Sequence, residues 1–239
     1  MSLSTSFQPL YKQVYDQLTQ RLVDGHWKPA ESLPSEMALA AELGVSQGTV
    51  RKALNQMVAE NLLERQQGKG TYVAEHTQES SLFRFFRLRE SEGESLIPDT
   101  QVLSSDRRAP TQLERTKLNL KGKLQIVELV RLRSLKGEPV ILEKIILPLA
   151  VFPNIDRETV IPNSLYTLYQ EKFGISIVSV RDELRATQIP DEYASHLQLA
   201  TGSPVLMVER ESINIDGRVV ECSQAYYVTD KYVYATEHR

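Results

Sequence analysis

The sequence predicts an α+β protein of two domains, a small helical domain followed by a larger one built on a mixed, mainly antiparallel sheet. Apolar residues recur at helical spacing through most of the first 75 residues. Beyond residue 83 they alternate with polar residues, as in strands with one buried face. Between these regions, Glu75 to Ser81 contains no apolar side chain, which is typical of a linker. We therefore expect domains at 1–75 and 83–239 joined by a linker at 76–82, and 239 residues suffice for two hydrophobic cores.

An amphipathic helix opens the first domain. Its apolar side chains recur every fourth residue, at Leu10, Val14, Leu18 and Leu22. Gly25 ends this helix, and an extended segment through Pro29 leads to Leu33. The helix is predicted to support the two helices that follow it.

Two short helices joined by a glycine turn come next. Ser35 is predicted to cap the first, and Gly44 ends it with the positive φ that glycine tolerates. Ser46 is predicted to cap the second, whose apolar stripe consists of Val50, Leu54, Met57 and Val58. A glycine turn followed by a helix that is polar at its start is the helix-turn-helix layout.

A short hairpin is predicted after these helices. Leu63 to Gln67 and Thr71 to Val73 would pair around Gly68-Lys69-Gly70. The two glycines let the backbone approach a groove closely, and Lys69 adds a cation at the tip. The first domain is therefore predicted to be a winged helix-turn-helix, whose second helix enters the major groove of DNA.

Side chains at the start of the second helix have the chemistry of base recognition. Gln47 can pair with adenine through two hydrogen bonds, and Thr49 can contact a thymine methyl group. Arg51 and Lys52 suit phosphates, and Arg51 also suits guanine. The alternative is a solvated helix face in an ordinary helical core, which the wing disfavours.

A set of spaced residues between about Pro9 and Val73 carries a family resemblance. The matched residues are Leu33, Pro34, Ser35, Glu36, Gly44, Val45, Ser46, Thr49, Val50, Arg51, Leu54, Gly68 and Thr71. In this combination, with the glycine wing, the region resembles the GntR family of bacterial transcription regulators. The resemblance implies DNA contacts by Ser35, Ser46, Gln47, Thr49, Arg51, Lys52, Gly68, Lys69 and Gly70.

The first domain departs from that family at three positions. The family usually has arginine where this chain has Gln47, and often where it has Met37. We therefore expect DNA binding to depend less on salt, by roughly one unit of slope for each lost phosphate contact. Ala30 stands where relatives tend to have glycine.

The charge balance favours an operator binder over a DNA-coating protein. The net charge is −3, and residues 1–75 hold seven Lys or Arg against eight Asp or Glu. Four of these seven cations lie between Arg51 and Lys69, so binding would depend on one local basic face.

Cysteine use and hydropathy indicate a cytoplasmic protein. The single cysteine, Cys222, excludes an internal disulfide, fits a reducing compartment and is predicted to be a buried structural thiol. We find no signal peptide and no apolar run long enough to cross a membrane, so we expect no membrane partner.

The second domain is predicted to contain two long hairpins. Leu124 to Leu135 pairs with Val140 to Leu147, and Val205 to Ile213 pairs with Val219 to Val228 around Asp216-Gly217. The elements predicted between them are a helix at Ser164 to Phe173, a strand at Ile175 to Arg185 and a helix at Asp191 to Leu199. The hairpins lie about 80 residues apart in a weak internal repeat, which suggests one sheet with helices on it.

The first hairpin carries a candidate anion site. Arg131 and Arg133 are two residues apart on a strand, so both side chains leave one face. A three-residue loop would place Arg131 across from Glu143. A helix that begins near Ser164 and Tyr166 would add exposed N–H groups, which suit a phosphate or carboxylate. The alternative is a surface hairpin with cross-strand Arg–Glu pairs.

The second half carries a resemblance of its own, from about Phe83 to Tyr234. The matched residues are Arg131-x-Arg133, Gly137-x-Pro139, Glu143, Ser164-Leu165-Tyr166, Glu221 and Asp230-x-Tyr232. They resemble the effector domain of the HutC subfamily of GntR regulators, often called UTRA, which has a chorismate-lyase-like fold. The resemblance implies effector binding, dimerisation through this domain, and a pocket lined by Arg131, Arg133, Glu143, Ser164, Tyr166, Glu221 and Tyr227.

One departure bears on the identity of the effector. Many relatives have a Phe-Ser-Glu-Asp-like segment where this chain has Phe83-Arg84-Phe85-Phe86-Arg87. That change weakens the expectation of a phosphosugar. The three phenylalanines would be packing residues or an apolar wall of the pocket.

The predicted function is that of an effector-responsive, sequence-specific transcriptional repressor, acting as a homodimer on a palindromic operator and controlled by a small anionic metabolite. We expect no catalytic residue, cofactor or metal, because the four histidines and Cys222 are scattered and no metal-ligand spacing occurs. Two alternatives stay open. One is a chorismate-lyase-like enzyme fused to a DNA-binding domain, and the other is a DNA-binding dimer without ligand sensing.

Overall fold

The computed structural model of the chain describes residues 8–75, 77, 85–90 and 97–236. The chain divides into two compact units, Met1–Glu75 and His76–Arg239. Apart from Thr77, the predicted linker at 76–82 lies outside the described residues, so its extent stays a prediction. In the described part of the chain no helix has the length and apolar character needed to span a membrane.

The first unit consists of three helices and a hairpin. They are α1 Leu10–Val23, α2 Glu36–Leu43, α3 Gln47–Ala59, β1 Leu63–Gln66 and β2 Gly70–Val73. Ser35 Oγ accepts a hydrogen bond from the Ala38 N–H at 3.2 Å, and Ser46 Oγ accepts one from the Thr49 N–H at 3.2 Å. Gly44 has φ 65°. The predicted caps, glycine turn and wing are therefore confirmed.

The apolar faces of the three helices meet in one core. Its most buried side chains, each at most 3% exposed, are Val14, Leu18, Leu39, Val50, Ala53, Leu54 and Met57. Removing these side chains from water is the main force that holds the helices together. Leu10 belongs to α1 as predicted but is 52% exposed, because it is the first residue of the helix and lies beyond its buried part.

The extended segment before α2 adds a short third strand to the wing. Ser32 bridges Tyr72, and the Leu33 N–H donates to the Thr71 carbonyl at 2.8 Å. These bonds tie the beginning of the helix-turn-helix to β2. Ala30, at the start of the segment, has φ 62°, a left-handed conformation that is costly for any residue with a side chain.

The second unit contains a sheet, a separate strand pair and short helices. The sheet strands are β4 Asp99–Arg108, β5 Ile126–Leu135, β6 Glu138–Pro148, β7 Ile177–Gln188, β8 Pro204–Asn214 and β9 Val219–Tyr227. The separate pair consists of β3 Leu88–Glu90 and β10 Tyr232–Tyr234. The helices whose bounds fall within the described residues are α4 Gln112–Lys117, α5 Leu165–Phe173 and α6 Asp191–Ala194, with a 3-10 turn at Ile155–Arg157.

The α+β class with a mainly antiparallel sheet is confirmed. The six strands lie in the order β4-β5-β6-β9-β8-β7, and each pairing between described strands is antiparallel. Both predicted hairpins form. The helix predicted to reach Leu199 ends at Ala194, because the chain turns over the next four residues and Gln198 takes φ 55°.

The first hairpin reaches its predicted register by a different route. Lys136 and Gly137 form a two-residue turn with φ 51° and 81°, not a three-residue loop. The register then shifts between Arg133 and Ser134, which leaves Val140 as an extra residue on β6. The short turn and the bulge together place Arg131 directly opposite Glu143.

The predicted internal repeat corresponds to a pseudo-twofold arrangement of the sheet. The succession β4, α4, β5, β6 is repeated as β7, α6, β8, β9, and matching elements begin 78 to 81 residues apart. The order of the sheet therefore reads the same from either edge, with β6 and β9 meeting at its centre. Each half supplies one hairpin to the middle of the sheet.

The two faces of the sheet are covered by different elements. On one face α5 packs with Phe85 and Phe152 against β5 and β6, and Tyr169 is fully buried there. On the other face Ala194 of α6 packs with Leu142 and Tyr226. The face below α5 is the one toward which Arg131, Arg133 and Glu143 point, together with the apolar residues Leu129 and Ile145.

Candidate functional site

The beginning of α3 presents a short row of polar side chains to solvent. Gln47 and Arg51 are exposed, one helical turn apart. The hydroxyls of Ser46 and Thr49 lie 2.9 Å apart and share a hydrogen bond, so both help to shape the first turn. Ser46 and Ser35 also act as caps, which fixes where α3 and α2 begin.

A carboxylate gathers the basic groups of this surface. Glu36 Oε2 accepts hydrogen bonds from Arg51 Nε at 2.8 Å and from Gln47 Nε2 at 3.2 Å. Glu36 Oε1 lies 3.3 Å from Arg65 Nη2, and Asn55 Oδ1 accepts from the same nitrogen at 2.7 Å. The hydrogen bond from Arg51 is the main cause that holds the pKa of Glu36 below its usual value. We call these five residues the Glu36 cluster.

Sequence reasoning missed three members of this cluster as functional residues. Glu36 was matched only as part of the family pattern, Arg65 was only one of the four cations of the predicted basic face, and Asn55 was given no role. Glu36 and Arg65 are 29 residues apart and meet where β1 of the wing lies near the start of α2. No local spacing in the sequence signals such a contact.

The remaining predicted DNA contacts are arranged differently. The Lys52 ammonium lies 4.0 Å from the centroid of the Tyr11 ring, so it is engaged with α1 by a cation–π contact. At the wing tip Gly68 and Gly70 have φ 73° and 126°, and Lys69 is exposed between them. Side chains at those glycines would be strained, which explains why the wing uses glycine there.

In the second unit all seven predicted effector residues line one cavity of about 60 Å³. Arg131 Nη2 lies 2.5 Å from Glu143 Oε1, and Arg133 Nε lies 3.9 Å from the same oxygen. Arg133 Nη2 donates to Asn163 Oδ1 at 2.9 Å. Arg131 and Arg133 are only 3% and 8% exposed, so the surface-hairpin alternative is wrong for both.

Both arginines keep an Nε–H donor that none of the described residues accepts. Among the described residues, the buried Nε–H groups of Arg131 and Arg133 have no hydrogen-bond partner. A buried N–H without a partner costs free energy, and a charged one costs more. Two such donors beside one cavity are a feature that a bound acceptor would relieve.

Burial sets the electrostatics of this arginine pair. It disfavours the charged form of Arg133 and lowers the pKa of that guanidinium. Burial also disfavours the Glu143 carboxylate, but the nearby charges of Arg131 and Arg133 outweigh it and hold the Glu143 pKa below its usual value. Arg131, Arg133 and Glu143 taken together carry two guanidiniums for one carboxylate, so this trio has one excess positive charge.

Glu221 forms a second hydrogen-bond network at the cavity. Its Oε1 accepts from Ser212 Oγ at 2.7 Å, and its Oε2 accepts from the Tyr169 hydroxyl at 2.5 Å. The Tyr166 hydroxyl joins the network at 2.8 Å from Ser212 Oγ. Burial of the carboxylate raises the pKa of Glu221. This carboxylate is therefore suited to hold its proton more readily than Glu143 does.

The cavity also has an aromatic wall. The Phe85 ring packs edge-on against Tyr166 at a centroid distance of 4.8 Å, and Arg133 Cζ lies 4.9 Å from the Phe86 ring centroid. The proposed alternatives for these phenylalanines, packing or a pocket wall, therefore both apply to Phe85 and Phe86. Phe83 lies outside the described residues.

Ser164 and Tyr227 complete the predicted set. Ser164 precedes α5 and, in the described structure, its side chain accepts no capping hydrogen bond from that helix. Tyr227 packs edge-on against Tyr234 at 5.5 Å, and burial raises the pKa of Tyr227 to about 12. Both side chains border the cavity, Ser164 from the residue just before α5 and Tyr227 from the end of β9.

Arg210 is a cavity residue that sequence reasoning missed. Its Nε and Nη2 donate to the two carboxylate oxygens of Asp182, each at 2.7 Å, and its Nη1 donates to the Phe85 carbonyl at 3.0 Å. Tyr234 adds a hydrogen bond to Asp182 Oδ2 at 2.7 Å. The internal repeat was the available signal, because Arg210 follows Arg131 by 79 residues at the matching position of the second hairpin.

A metal site would need three or more His, Cys, Asp or Glu side chains close together. No such group is found in the described part of the chain. Cys222 is buried, and burial raises the pKa of its thiol to about 12, as expected of a structural cysteine.

Comparison with known protein families gives two matches that together span most of the chain. Residues 10–73 match the family of bacterial regulatory proteins called gntR, and residues 93–233 match the UTRA domain.

Individual relatives align over nearly their whole length. The chain is 31% identical over 225 residues to the mannosyl-D-glycerate transport/metabolism system repressor MngR of Escherichia coli K12, covering 94% of this chain and 93% of MngR. It is 26% identical over 227 residues to the transcriptional repressor NagR of Bacillus subtilis, covering 95% and 93%.

Solved structures agree with the fold. The ligand-binding domain of a candidate GntR-family regulator from Bordetella bronchiseptica has a TM-score of 0.61 at 27% identity and covers 65% of this chain and 98% of that domain. PhnF from Mycobacterium smegmatis has a TM-score of 0.57 at 20% identity, covers 94% and 99%, and supports the fold alone.

Proposed function

The chain belongs to the gntR family of bacterial regulatory proteins and is a ligand-responsive, DNA-binding transcriptional repressor of the UTRA type, not an enzyme; we propose that it acts as a homodimer and that its effector is a small anion. The anion would occupy the cavity below α5, held by Arg131 and Arg133. Glu143, Ser164, Tyr166, Glu221 and Tyr227 would contact the rest of the molecule. In the first unit, DNA contacts would come from the start of α3 and from the wing.

The observation that carries the effector proposal is the pair of buried Nε–H donors on Arg131 and Arg133, which have no partner in the part of the chain that the structure describes. Hydrogen bonds from guanidinium groups to carboxylate or phosphate are among the strongest in proteins. Because two arginines surround the one carboxylate of Glu143, the three groups carry one excess positive charge, which favours a negative charge in the ligand. The free end of α5 adds N–H groups that favour an anion.

The two carboxylates at the cavity restrict the remainder of the ligand. Glu143, whose pKa is lowered, can only accept hydrogen bonds while it is ionised, and both oxygens of Glu221 already accept hydrogen bonds, so these carboxylates would face hydroxyl or amino groups. Phe85 and Phe86 offer an apolar surface beside those acceptors. We therefore expect an effector with an anionic head and a hydroxylated or aminated body, not a simple inorganic ion.

Isothermal titration calorimetry tests this proposal. Inorganic phosphate and acetate would serve as probes of the anionic head, followed by phosphorylated and carboxylated sugars and amino acids. We expect Arg133→Ala to weaken binding of any active compound by about 10- to 100-fold, since it removes a charge-assisted hydrogen bond. Arg185→Ala is the matched control, because Arg185 is exposed on β7 and pairs with Glu183. Equal titration curves for the two variants would contradict the proposed pocket.

The homodimer rests on the symmetry of DNA recognition. Two copies related by a twofold axis match two half-sites of a palindrome, whose centres lie about one helical turn or a multiple of it apart. Sedimentation equilibrium should give twice the chain mass of 27.2 kDa. A monomer at the concentrations that saturate operator DNA would contradict this part of the proposal.

A further inference from the structure

We propose that Glu36 is a positioning residue that sets the DNA sequence selectivity of α3 and the wing, an inference that rests on the proposed DNA contacts. A carboxylate on a surface that meets phosphates is unexpected, because it repels them. In this unit it is covered by the cations that it binds. The Glu36 side chain is 20% exposed, whereas those of Arg51 and Arg65 are 55% and 44% exposed. Positive groups therefore face outward and the negative group lies beneath them.

One carboxylate joins three separate elements. Glu36 is the first residue of α2, Gln47 and Arg51 lie one turn apart on α3, and Arg65 lies on β1 of the wing. Asn55 adds a second link between α3 and Arg65. Without Glu36 the two guanidiniums would repel each other, and the long side chains of Gln47 and Arg51 would regain their rotamer freedom.

The hydrogen bonds to Glu36 leave the recognition edges free. Arg51 uses its Nε and one Nη2 hydrogen toward Glu36, so the edge formed by its two terminal nitrogens can still donate twice to one acceptor pair. Gln47 uses one Nε2 hydrogen, so its Oε1 and other hydrogen can still pair with an adenine. Glu36 thus orients both side chains without occupying the atoms that would read bases.

Orientation before binding has a specific effect on selectivity. A side chain that is already held in its reading conformation loses less entropy when it meets the correct base. It also resists the adjustments that would accommodate a wrong base. By contrast, a negative charge lowers affinity for every DNA sequence alike. Removing the charge of Glu36 should therefore raise general affinity and lower discrimination.

The test compares Glu36→Gln with Glu64→Gln in the full-length protein. Glu64 is exposed on β1 and accepts a hydrogen bond from Gln66, so both variants lose one negative charge from the first unit and keep side-chain size. A random DNA library would first be selected with the wild-type protein to define its operator. The ratio of operator to non-operator affinity would then be measured for all three proteins at one salt concentration.

We expect E64Q to keep the wild-type ratio and E36Q to lower it by about tenfold, with relaxed base preference at the positions that face Gln47 and Arg51. An E36Q ratio equal to that of E64Q would overturn the inference. Thermal melting of each variant separates a positioning role from a folding one, because Glu36 also begins α2. If E36Q melts at a lower temperature than the wild type, Gln47→Ala is introduced into both proteins as a second measure. Loss of Gln47 should reduce selectivity less in E36Q than in the wild type, because Glu36 no longer positions Gln47 there. A wild-type protein that enriches no sequence would instead refute the proposed DNA contacts themselves.

Discussion

The Glu36 cluster of the first unit and the cavity of the second share one motif, a carboxylate between two arginines, in opposite surroundings. Around Glu36, the arginines Arg51 and Arg65 are about half exposed and their carboxylate is well hydrogen-bonded. Around Glu143, the arginines are buried, and within the described structure each keeps an unused donor. The same three groups therefore give a preformed surface for the proposed DNA contacts in one place and an incomplete set of hydrogen bonds at the proposed effector site in the other.

The difference teaches that burial decides what such a motif can do. Exposed ion pairs are worth about 1 kcal/mol or less, so the Glu36 cluster can open and adapt when DNA arrives. Buried pairs cannot be broken without leaving an unpaired charge in a medium that solvates it poorly. A ligand at the proposed effector site would therefore add hydrogen bonds to the pairs around Glu143 and not replace them.

The largest expected effect is on stability. Glu143→Ala leaves two buried guanidiniums without their carboxylate and should lower the free energy of unfolding of the second unit by about 3–5 kcal/mol. Glu36→Ala should cost the first unit about 1 kcal/mol or less. Urea unfolding can follow each unit, because Trp27 is the only tryptophan and reports on the first. Near-ultraviolet circular dichroism of the buried tyrosines reports on the second. Equal losses of unfolding free energy in Glu143→Ala and Glu36→Ala would contradict the contrast between the buried and the exposed site.

The next effect separates the two sites by function. Arg51→Ala should weaken operator binding by about 1–3 kcal/mol and leave effector binding unchanged, since Arg51 belongs to the exposed cluster alone. Arg133→Ala should weaken effector binding and, when no effector is present, leave operator binding unchanged. Fluorescence anisotropy with operator DNA and calorimetry with the effector give both readings for both variants. A variant that impaired both activities to the same degree would show that the sites are not separable.

A pH series sharpens the contrast within the cavity. The folded pKa of Glu221 is raised by burial above the ordinary 4.5, so its proton stabilises the fold below that value. This contribution is lost as pH rises through the raised pKa. Glu143 has a lowered pKa, so its contribution is present above 4.5 and is lost as pH falls. As pH rises from 5, the free energy of unfolding of the second unit should therefore fall less in Glu221→Gln than in the wild type. Urea unfolding at several pH values measures this difference. An unchanged slope in that variant would contradict the assignment.

The smallest expected effect is a gain in the first unit. Ala30 has φ 62°, which glycine adopts without the steric cost that a Cβ brings. Ala30→Gly should raise the stability of the first unit by about 1 kcal/mol and leave the second unit unaffected. Trp27 fluorescence in urea measures the change. A loss of stability would mean that backbone entropy in the unfolded state outweighs the relief of strain.

Much of the architecture followed from local signals. Serine caps and a positive-φ glycine mark the ends of α2 and α3 within a few residues, so their positions could be read directly. The spacing of Arg131 and Arg133 placed them on one face of a strand because alternation is a property of every strand. The convergence of the seven predicted effector residues on one cavity came from family resemblance, and their role in binding stays a prediction.

The parts that escaped prediction depend on contacts distant in sequence. β4 has an exposed edge and little alternation, so nothing in its own residues indicated a strand. The contact of Glu36 with Arg65 and that of Arg210 with Asp182 are made only when separate elements fold together. The hairpin register was predicted correctly from the wrong turn, because a bulge at Val140 added back the residue that the shorter turn removed.

The hydrogen bond from Arg210 to the Phe85 carbonyl has a consequence for how the cavity wall would move. Phe85 and Phe86 border the cavity and stand just before β3, which pairs with β10. A ligand in the proposed effector site that displaced Phe85 would break this hydrogen bond and disturb the chain that enters β3. The two hydrogen bonds from Arg210 to Asp182 would hold the arginine on the sheet, so the wall would shift while the sheet keeps its arrangement.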